Sequence, residues 1–380
     1  MAAAWQNPVD VAVIGGGIIG ICAAAALAAA GRRPLIIDRT GICEETSAGN
    51  AGALAFSDVL PLAQKGVIRN LPKWLADPLG PLSVPPAYAP WLLPWLLRFL
   101  AASRPARYGN ALTAQAAMMR LAETEWAALM ARTGTESMLR EGGSLELYQS
   151  DAEFQASLGG WAARERFNIA FRHLDRAGIE ALQPGLAPQF SRATFVPGWK
   201  TVSDPQHLGK AIWRKAEADG AIWTRGEVVV VTPAEKHVAI QLREGRTLLA
   251  RDLVVAAGAW SHRLTRAFGD VVPLETERGY NTTLPADAFD LRRQLIFSAH
   301  GFVVTPLETG SGREWMGYRP SLPDSLPVIG RARNAENVYY AFGHGHLGLT
   351  QAAATGRLIR DLVSGETPTI DLAPFSPQRF

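Results

Sequence analysis

The first forty residues carry the clearest pattern of apolar and polar positions in the chain. An apolar run over residues 9–14 predicts a buried strand, and an Ala-rich run ending near Ala30 predicts a helix. A second apolar run, residues 33–38, predicts another strand and ends in an acid. A glycine-rich segment, residues 15–20, separates the first strand from the helix. This order of strand, glycine turn, helix, strand and acid predicts an α/β fold.

The glycine turn has the spacing of a dinucleotide-binding site. Gly15 permits a tight turn, Gly17 lets backbone N–H groups approach a diphosphate, and Gly20 lets the helix pack close to the sheet. The start of the helix favours the negative charge of the diphosphate. Asp38 lies where a carboxylate accepts hydrogen bonds from ribose hydroxyls. The alternative is a glycine-rich turn in an ordinary α/β sheet, without a ligand.

Residues 11–31 carry no charge and are long enough to span a membrane, which is a rival interpretation. Three adjacent glycines near the start of this segment disfavour a continuous helix. No basic segment precedes it, as one would in a signal peptide. The sequence therefore predicts a protein that is made and kept in the cytoplasm.

The rest of the chain is less regular and predicts a second, mixed region. Residues 60–105 are rich in Pro, Leu and Trp, and residues 88–97 are strongly apolar but too short and Pro-broken to span a bilayer. They predict either a core helix beneath the part of the protein that covers the substrate or an apolar edge that rests on a membrane. Residues 190–202 predict two paired strands with a Pro-Gly turn. Further helices are predicted over residues 110–133, 153–167, 203–219 and 348–363, and further strands over residues 144–148, 227–231, 238–242, 247–257, 276–284, 294–298, 302–306 and 338–342.

Composition narrows the function classes. The 380 residues are 48% hydrophobic, enough for a large core and two domains. A formal net charge of +3 with no arginine-rich run disfavours a nucleic-acid binder. The two cysteines, Cys22 and Cys43, are interpreted as packed residues, and neither a disulfide framework nor a metal-ligand spacing is present.

Two more turns repeat the strand–glycine–helix pattern. Residues 253–260 run from an apolar strand through small residues and Gly258 towards a helix. Residues 339–348 do the same through a turn with two histidines. Free N–H groups at the second helix start would favour the negative charge that a reduced flavin carries at its N1–C2=O edge. The alternative for the second turn is a structural turn with incidental histidines.

Together these motifs resemble the FAD-dependent D-amino acid oxidase/dehydrogenase family, nearest to the bacterial D-amino acid dehydrogenases. The resemblance is carried, in the family's order, by residues 13–20, 47–52, 255–260, 277–280, 317–320 and 342–346. It implies FAD as cofactor and a glutathione-reductase-like FAD-binding domain of Rossmann type with an inserted α+β substrate domain. The FAD-binding domain is expected over residues 1–60, 140–150, 200–268 and 320–380, and the substrate domain over residues 61–139, 151–199 and 269–319.

The resemblance also implies roles for individual residues. The residues expected to contact FAD are Gly15, Gly17, Ile18, Ile19, Gly20, Asp38, Arg39, Ser47, Asn50, Ala51, Gly52, Val228, Ala257, Gly258, Gly343, His344, Gly345, Leu347, Gly348 and Leu349. Within this set, Ser47, Asn50 and Ala51 are expected at the isoalloxazine edge. Val228 is expected to bond the adenine through its backbone.

Arg319, in the segment Gly317-Tyr318-Arg319-Pro320, matches the family arginine that clamps the substrate carboxylate. The chemistry supports this match independently, because a carboxylate in a dry pocket needs a fixed cation with a planar fork. The alternative is a surface arginine in a loop. Tyr280 and His346 are further candidates for hydrogen bonding or proton acceptance at the catalytic site, as are Tyr318 and His344.

The expected reaction is oxidation of the CH–NH bond of a D-amino acid, or of a D-proline derivative, to an imine by hydride transfer to flavin N5. Electrons would pass to a quinone or another acceptor, with contact to the inner face of the cell membrane as one option. The alternatives are a glycine- or sarcosine-type oxidase that uses O₂, an NAD-dependent enzyme, and a non-catalytic flavin-binding subunit with a partner. The last is suggested by the short connection 307–314, where relatives carry a strand and a helix.

Overall fold

The computed structural model describes residues 8–64, 84–234, 236–285, 288–308, 312 and 314–380. The strands, in chain order, are β1 (Val9–Ile14), β2 (Pro34–Asp38), β3 (Ala53–Leu54), β4 (Leu139–Arg140), β5 (Ser144–Tyr148), β6 (Arg172–Leu174), β7 (Arg192–Val196), β8 (Lys200–Val202), β9 (Ile222–Arg225), β10 (Val228–Pro233), β11 (Val238–Leu242), β12 (Thr247–Val255), β13 (Glu275–Thr282), β14 (Gln294–Phe297), β15 (Phe302–Val304), β16 (Glu314–Ser321), β17 (Val328–Ala332) and β18 (Ala335–Phe342). The α-helices are α1 (Ile18–Ala29), α2 (Ala89–Ala102), α3 (Pro105–Thr133), α4 (Asp151–Glu165), α5 (Arg176–Leu182), α6 (Pro205–Ala218), α7 (Ser261–Thr265) and α8 (Gly348–Ser364).

An eight-stranded sheet forms the main layer, and it is built on the predicted opening motif. Parallel strands β9, β2, β1, β12 and β18 lie side by side, and β17 closes the edge in the antiparallel sense. The first half of β12 pairs with β11 of the β10–β11 hairpin, whereas its second half pairs with β18. The carboxyl ends of β1, β12 and β18 therefore meet at one edge of the sheet.

Alternating side chains of β1 belong to two hydrophobic cores, one on each face of the sheet. Val11 and Val13 are buried towards α1, α3, α6 and α8, whereas Ala12 and Ile14 are buried towards the β10–β12 strands. Strands with both faces covered read as continuous apolar runs, which is the pattern of residues 11–14. The predicted α/β fold of Rossmann type is confirmed.

A second region carries a five-stranded sheet in the order β15-β14-β5-β7-β6. The predicted pairing of the strands on either side of Pro197-Gly198 is wrong, because β7 pairs with β5 and β6 whereas β8 pairs with β3 and β4. Strand β5 lies in this five-stranded sheet, although residues 140–150 were expected in the FAD-binding domain. Strands β13 and β16 form a separate two-stranded sheet.

The apolar segment 88–97 forms most of helix α2, and the preceding residues 65–83 of the Pro-, Leu- and Trp-rich stretch lie outside the described residues. Only Phe99 is buried on α2, so the helix is not a core helix. Within the described ranges, no helix combines the length and the apolar content needed to cross a membrane.

Candidate functional site

The glycine turn between β1 and α1 adopts a conformation that only glycine fits. Gly15 has φ +114°, and a Cβ there would lie 2.3 Å from the carbonyl oxygen of Ala256. A Cβ on Gly20 would lie 2.0 Å from the carbonyl oxygen of Gly15, so α1 packs directly on the turn. Gly17 offers no side-chain cap, and the first turn of α1 carries no acid. The helix start is therefore a cradle for an anion.

Ser47 lies at the start of α1. Its hydroxyl oxygen accepts a hydrogen bond of 3.0 Å from the backbone N–H of Ile18. The same side chain also forms a hydrogen bond with the thiol of Cys43. Ser47 thus lies at the start of α1, beside the glycine turn. Its place at the isoalloxazine edge stays a prediction.

The carboxylate of Asp38 holds the glycine turn in place. Its Oδ2 accepts the N–H of Gly16 at 2.7 Å, and its Oδ1 accepts the N–H groups of Thr40 and Gly41 at 2.8 and 3.0 Å. Only Oδ2 has room for a further donor such as a ribose hydroxyl. Beside it, Arg39 forms two hydrogen bonds with Glu45 and stacks on Trp260.

The second turn, after β12, lies against the first. The N–H of Ala256 donates to the carbonyl oxygen of Ile14 at 2.8 Å, so Ala257 and Gly258 follow directly beside the glycine turn. Val228 starts β10, and the nearby N–H of Gly226 donates to the carbonyl oxygen of Asp38. The start of β10 thus adjoins the end of β2.

The third turn, after β18, contains two histidines with different surroundings. His344 is buried, and its Nε2 lies 2.9 Å from the hydroxyl of Thr355. Burial lowers the pKa of His344 to about 3, so this imidazole is neutral and is not a proton acceptor near pH 7. His346 is partly exposed, and its Nε2 lies 3.3 Å from Oδ2 of Asp58.

Asp58 was not found from the sequence, because a lone acid in an irregular loop carries no pattern. Burial raises the pKa of Asp58, but the hydrogen bond from His346 and the charges of His346 and Arg164 lower it more, and the net shift is downward. The guanidinium of Arg164 lies 3.5 Å from Oδ1 of Asp58 and also donates to the carbonyl oxygen of Ser57. This network fixes His346 at the cavity wall.

Arg319 projects from β16 over the backbone of β13. A Cβ on Gly279 would lie 2.7 Å from Nε of Arg319, so the guanidinium rests on the one residue of β13 without a side chain. Within the described part of the chain, the structure gives this guanidinium neither an acidic partner nor a hydrogen bond. A cation on a cavity wall without a counter-charge is suited to an incoming carboxylate.

Trp315 joins the hairpin that carries Arg319 to the loop of residues 46–52. Its indole lies against both Gly49 and Gly317, where a Cβ would approach ring atoms to 2.1 and 2.2 Å. Asn281 donates to the carbonyl oxygen of Gly49 at 2.6 Å and ties the same two elements. In the sequence, Gly49 and Gly317 are the only signal for the contact that Trp315 makes with both elements. In the loop itself, Asn50 accepts the N–H of Gly52 at 2.9 Å.

A single cavity of about 1780 Å³ joins the three turns and the β13–β16 hairpin. It is larger than the ~300–1,000 Å³ of most small-molecule sites. The predicted residues that line it are Gly15, Gly17, Ile18, Ile19, Ser47, Asn50, Ala51, Ala257, Gly258, Tyr280, Arg319, Gly343, His344, Gly345, His346, Leu347, Gly348 and Leu349. The predicted residues outside the lining are Gly20, Asp38, Arg39, Gly52 and Val228. The cradle and the size of the cavity fit a dinucleotide together with a small substrate.

Comparisons with known proteins agree with this geometry. A family model described as FAD dependent oxidoreductase matches residues 10–312 and 304–362. A D-amino-acid oxidase of Bradyrhizobium diazoefficiens is 31% identical over 97% of this chain and 98% of its own. A D-amino acid dehydrogenase of Allorhizobium ampelinum is 30% identical over 97% of this chain and 98% of its own. Among solved structures, glycine oxidase from Geobacillus kaustophilus has a TM-score of 0.72 at 22% identity, covering 99% of this chain and 100% of its own.

The comparisons also bear on the short connection 307–314. The two matched pieces overlap at residues 304–312, between β15 and β16. The alignment to the Bradyrhizobium diazoefficiens protein spans 415 positions, whereas this chain has 380 residues, so 35 or more positions of the relative have no counterpart here. Residues 309–311 and 313 of the short connection lie outside the described residues. Phe302 and Val303 of β15 are exposed beside it.

Proposed function

Because the chain belongs to the FAD-dependent oxidoreductase family, we propose that it oxidises the CH–NH bond of a D-amino acid, or of a D-proline derivative, to an imine. The family match over most of the chain confirms the predicted cofactor, FAD, and the resemblance to D-amino acid oxidases and dehydrogenases. The D-configuration of the substrate and the roles of individual residues are part of the proposal.

The observation that carries the proposal is the guanidinium of Arg319, which has neither an acidic partner nor a hydrogen bond among the described residues. It lines the same cavity as the cradle at Gly15 and Gly17. An amino acid brings a carboxylate, and a bidentate hydrogen-bonded pair with Arg319 would fix the α-carbon relative to the cofactor. In this arrangement Gly15, Gly17, Ser47 and the helix start would hold the diphosphate of FAD.

FAD supplies the hydride acceptor when it is bound. The part of the protein is to bind the carboxylate, exclude water and take the proton that the substrate ammonium loses before oxidation. His346 lines the cavity, and because its Nε2 faces Asp58, its Nδ1 is the nitrogen left for an amine proton. Tyr280 offers a phenol on the same wall.

The proposed electron acceptor is a quinone, reached through contact with the inner face of the cell membrane. Support comes from relatives named D-amino acid dehydrogenase and from the apolar helix α2. O₂ is the alternative acceptor, as the names D-amino-acid oxidase and glycine oxidase among the relatives and solved structures suggest.

A non-catalytic, flavin-binding role within a complex is the second candidate, and one observation favours it. The short connection between β15 and β16 falls beside the hairpin that carries Arg319, where the two matched pieces of the family model overlap. The FAD cradle at residues 15–20 is remote from this connection in sequence. Loss of the substrate wall with retention of the flavin would be the signature of this role.

The experiment is anaerobic bleaching of the bound flavin by enantiomeric pairs of amino acids, with glycine, sarcosine and both prolines included. The proposal expects bleaching by one or more D-amino acids, at rates well above those for their L-enantiomers. Readmission of O₂ with a peroxide assay then separates an oxidase from a dehydrogenase. Preference for L-enantiomers would reject the proposed substrate class, and a yellow protein that no amine bleaches would favour the non-catalytic role.

A further inference from the structure

Helix α2 exposes an apolar stripe that the rest of the described chain does not cover. Leu93, Leu97 and Leu100 recur at spacings of four and three and therefore share one face. Their exposed fractions are 53%, 56% and 41%, and Trp91 near the helix start is 76% exposed. Contiguous exposed apolar side chains of this kind mark an interaction surface.

The helix is held to the body of the protein by its opposite face. Phe99 is its one buried residue, and Trp95 stacks on Phe99 with ring centroids 5.3 Å apart. At the helix start, the hydroxyl of Tyr88 donates to Glu275 at 2.7 Å. These contacts orient α2 so that Leu93, Leu97 and Leu100 face outwards.

The charged residues on α2 itself and at the start of α3 are all basic. Arg98, Arg104 and Arg107 are exposed on α2 and the start of α3, and the structure records no ion pair for them among the described residues. No Asp or Glu occurs between residue 84 and Glu123. A leucine stripe flanked by arginines is the composition of a helix that lies in the interface of an anionic bilayer.

We propose that α2 is a membrane-docking helix that inserts the stripe of Leu93, Leu97 and Leu100 into the surface of an anionic phospholipid bilayer. A second copy of this chain fits less well, since an isologous contact through this face would bring the arginines of two protomers together. The inference deepens the membrane contact proposed above and does not depend on the substrate. It gives an electron acceptor dissolved in the bilayer a short path to the protein.

The test is flotation of the purified full chain with phosphatidylcholine vesicles, with and without phosphatidylglycerol, at low and high salt. We expect the wild type to bind vesicles that contain phosphatidylglycerol roughly tenfold more strongly than vesicles of phosphatidylcholine alone. Binding to the anionic vesicles should fall as the salt concentration rises. The double variant Leu93→Ser/Leu97→Ser should lose binding roughly tenfold or more, as should Arg98→Glu/Arg104→Glu. Val271→Ser and Arg263→Glu, at exposed positions on other elements, serve as matched controls and should bind like the wild type.

Flavin absorbance of each variant reports whether it is folded, because none of the substituted residues lines the cavity. Equal binding of the wild type and Leu93→Ser/Leu97→Ser, or no binding of the wild type to anionic vesicles, would overturn the proposal. So would a wild-type dimer in sedimentation that the leucine variant converts to a monomer, since a second copy would then cover the stripe. Flavin bleaching by D-amino acids is measured separately, so either proposal can fail without the other.

Discussion

Replacement of Gly279 by alanine should displace Arg319 without disturbing the fold. A Cβ at this position would lie 2.7 Å from Nε and 3.0 Å from Cζ of Arg319, so the guanidinium must move. The contact is with a flexible side chain, and Gly279 has no positive φ, so alanine fits the backbone. We expect the free energy of unfolding to change by less than about 1 kcal/mol.

The effect should appear in substrate binding. Loss or misalignment of a hydrogen bond to a charged group costs about 1.5–3 kcal/mol. Since each 1.4 kcal/mol is about tenfold, the half-saturation concentration for a D-amino acid should rise about ten- to hundredfold. The assay is the anaerobic rate of flavin bleaching as a function of substrate concentration. An amino-acid amide, which lacks the carboxylate, should distinguish little between Gly279→Ala and the wild type.

The matched control is Gly109→Ala in α3, where a Cβ would meet nothing within 4 Å. It should bind substrate as the wild type does. The reasoning is refuted if Gly279→Ala retains the wild-type half-saturation concentration. It is also refuted if the amide loses as much affinity as the amino acid, because the carboxylate would then not be the group that Arg319 binds.

Three further predictions concern stability and the cofactor loop. The pKa of His344 is about 3 in the folded protein and 6.5 in the unfolded chain. The free energy of unfolding is therefore highest above pH 6.5 and decreases as the pH falls below that value. His344→Gln should reduce this decrease by about 1.4 kcal/mol per pH unit, measured by urea titration. Asp270→Ala should lower the free energy of unfolding by about 2–4 kcal/mol, because the buried carboxylate accepts the hydroxyl of Tyr340 at 3.0 Å. Gly49→Ala should displace Trp315 and weaken FAD retention, measured by the flavin-to-protein ratio after dialysis.

Each of these has a control of the same residue type in an open setting. His300→Gln and Asp290→Ala change exposed groups, and Gly159→Ala adds a Cβ with nothing within 4 Å. Equal pH slopes for His344→Gln and the wild type would contradict the buried-histidine argument. The second prediction is contradicted if Asp270→Ala lowers the free energy of unfolding no more than Asp290→Ala does. The third is contradicted if Gly49→Ala retains all of its flavin.

Local patterns in the sequence predicted the cofactor end of the molecule well. The turn at residues 15–20 follows from steric requirements of glycine next to an apolar strand, and neither depends on distant partners. The turns after β12 and β18 are similarly local, and the parallel order of the sheet brings all three together. For these elements, sequence and structure agree closely.

Features set by distant contacts could not be predicted in the same way. The Pro-Gly turn at residues 197–198 signalled two strands, but their partners β3 to β6 are separated from them by up to about 150 residues of chain, and the pairing was missed. The contact of Arg319 with Gly279 depends on the register of β13 against β16. The His346–Asp58 contact joins residues far apart in the chain, and neither residue type at its position predicts the other.

Helix α2 shows where the pattern left two interpretations open. Its apolar residues are compatible with a core helix or with an exposed surface helix. Hydrophobicity shows that these side chains favour leaving water, but it does not show what they pack against. The structure excludes a core helix, because Phe99 is the one residue of α2 that is buried.

The most direct test of the whole account is the binding of an amino acid that cannot react. 2-Aminoisobutyrate has an α-amino group and a carboxylate but no α-hydrogen, so its titration into the yellow protein, followed by the flavin spectrum, reports binding alone. We expect the same Kd for the wild type and Arg278→Leu, whose arginine lies on the same hairpin outside the cavity. Arg319→Leu should bind about a hundredfold more weakly. Equal affinities for Arg319→Leu and Arg278→Leu would contradict it.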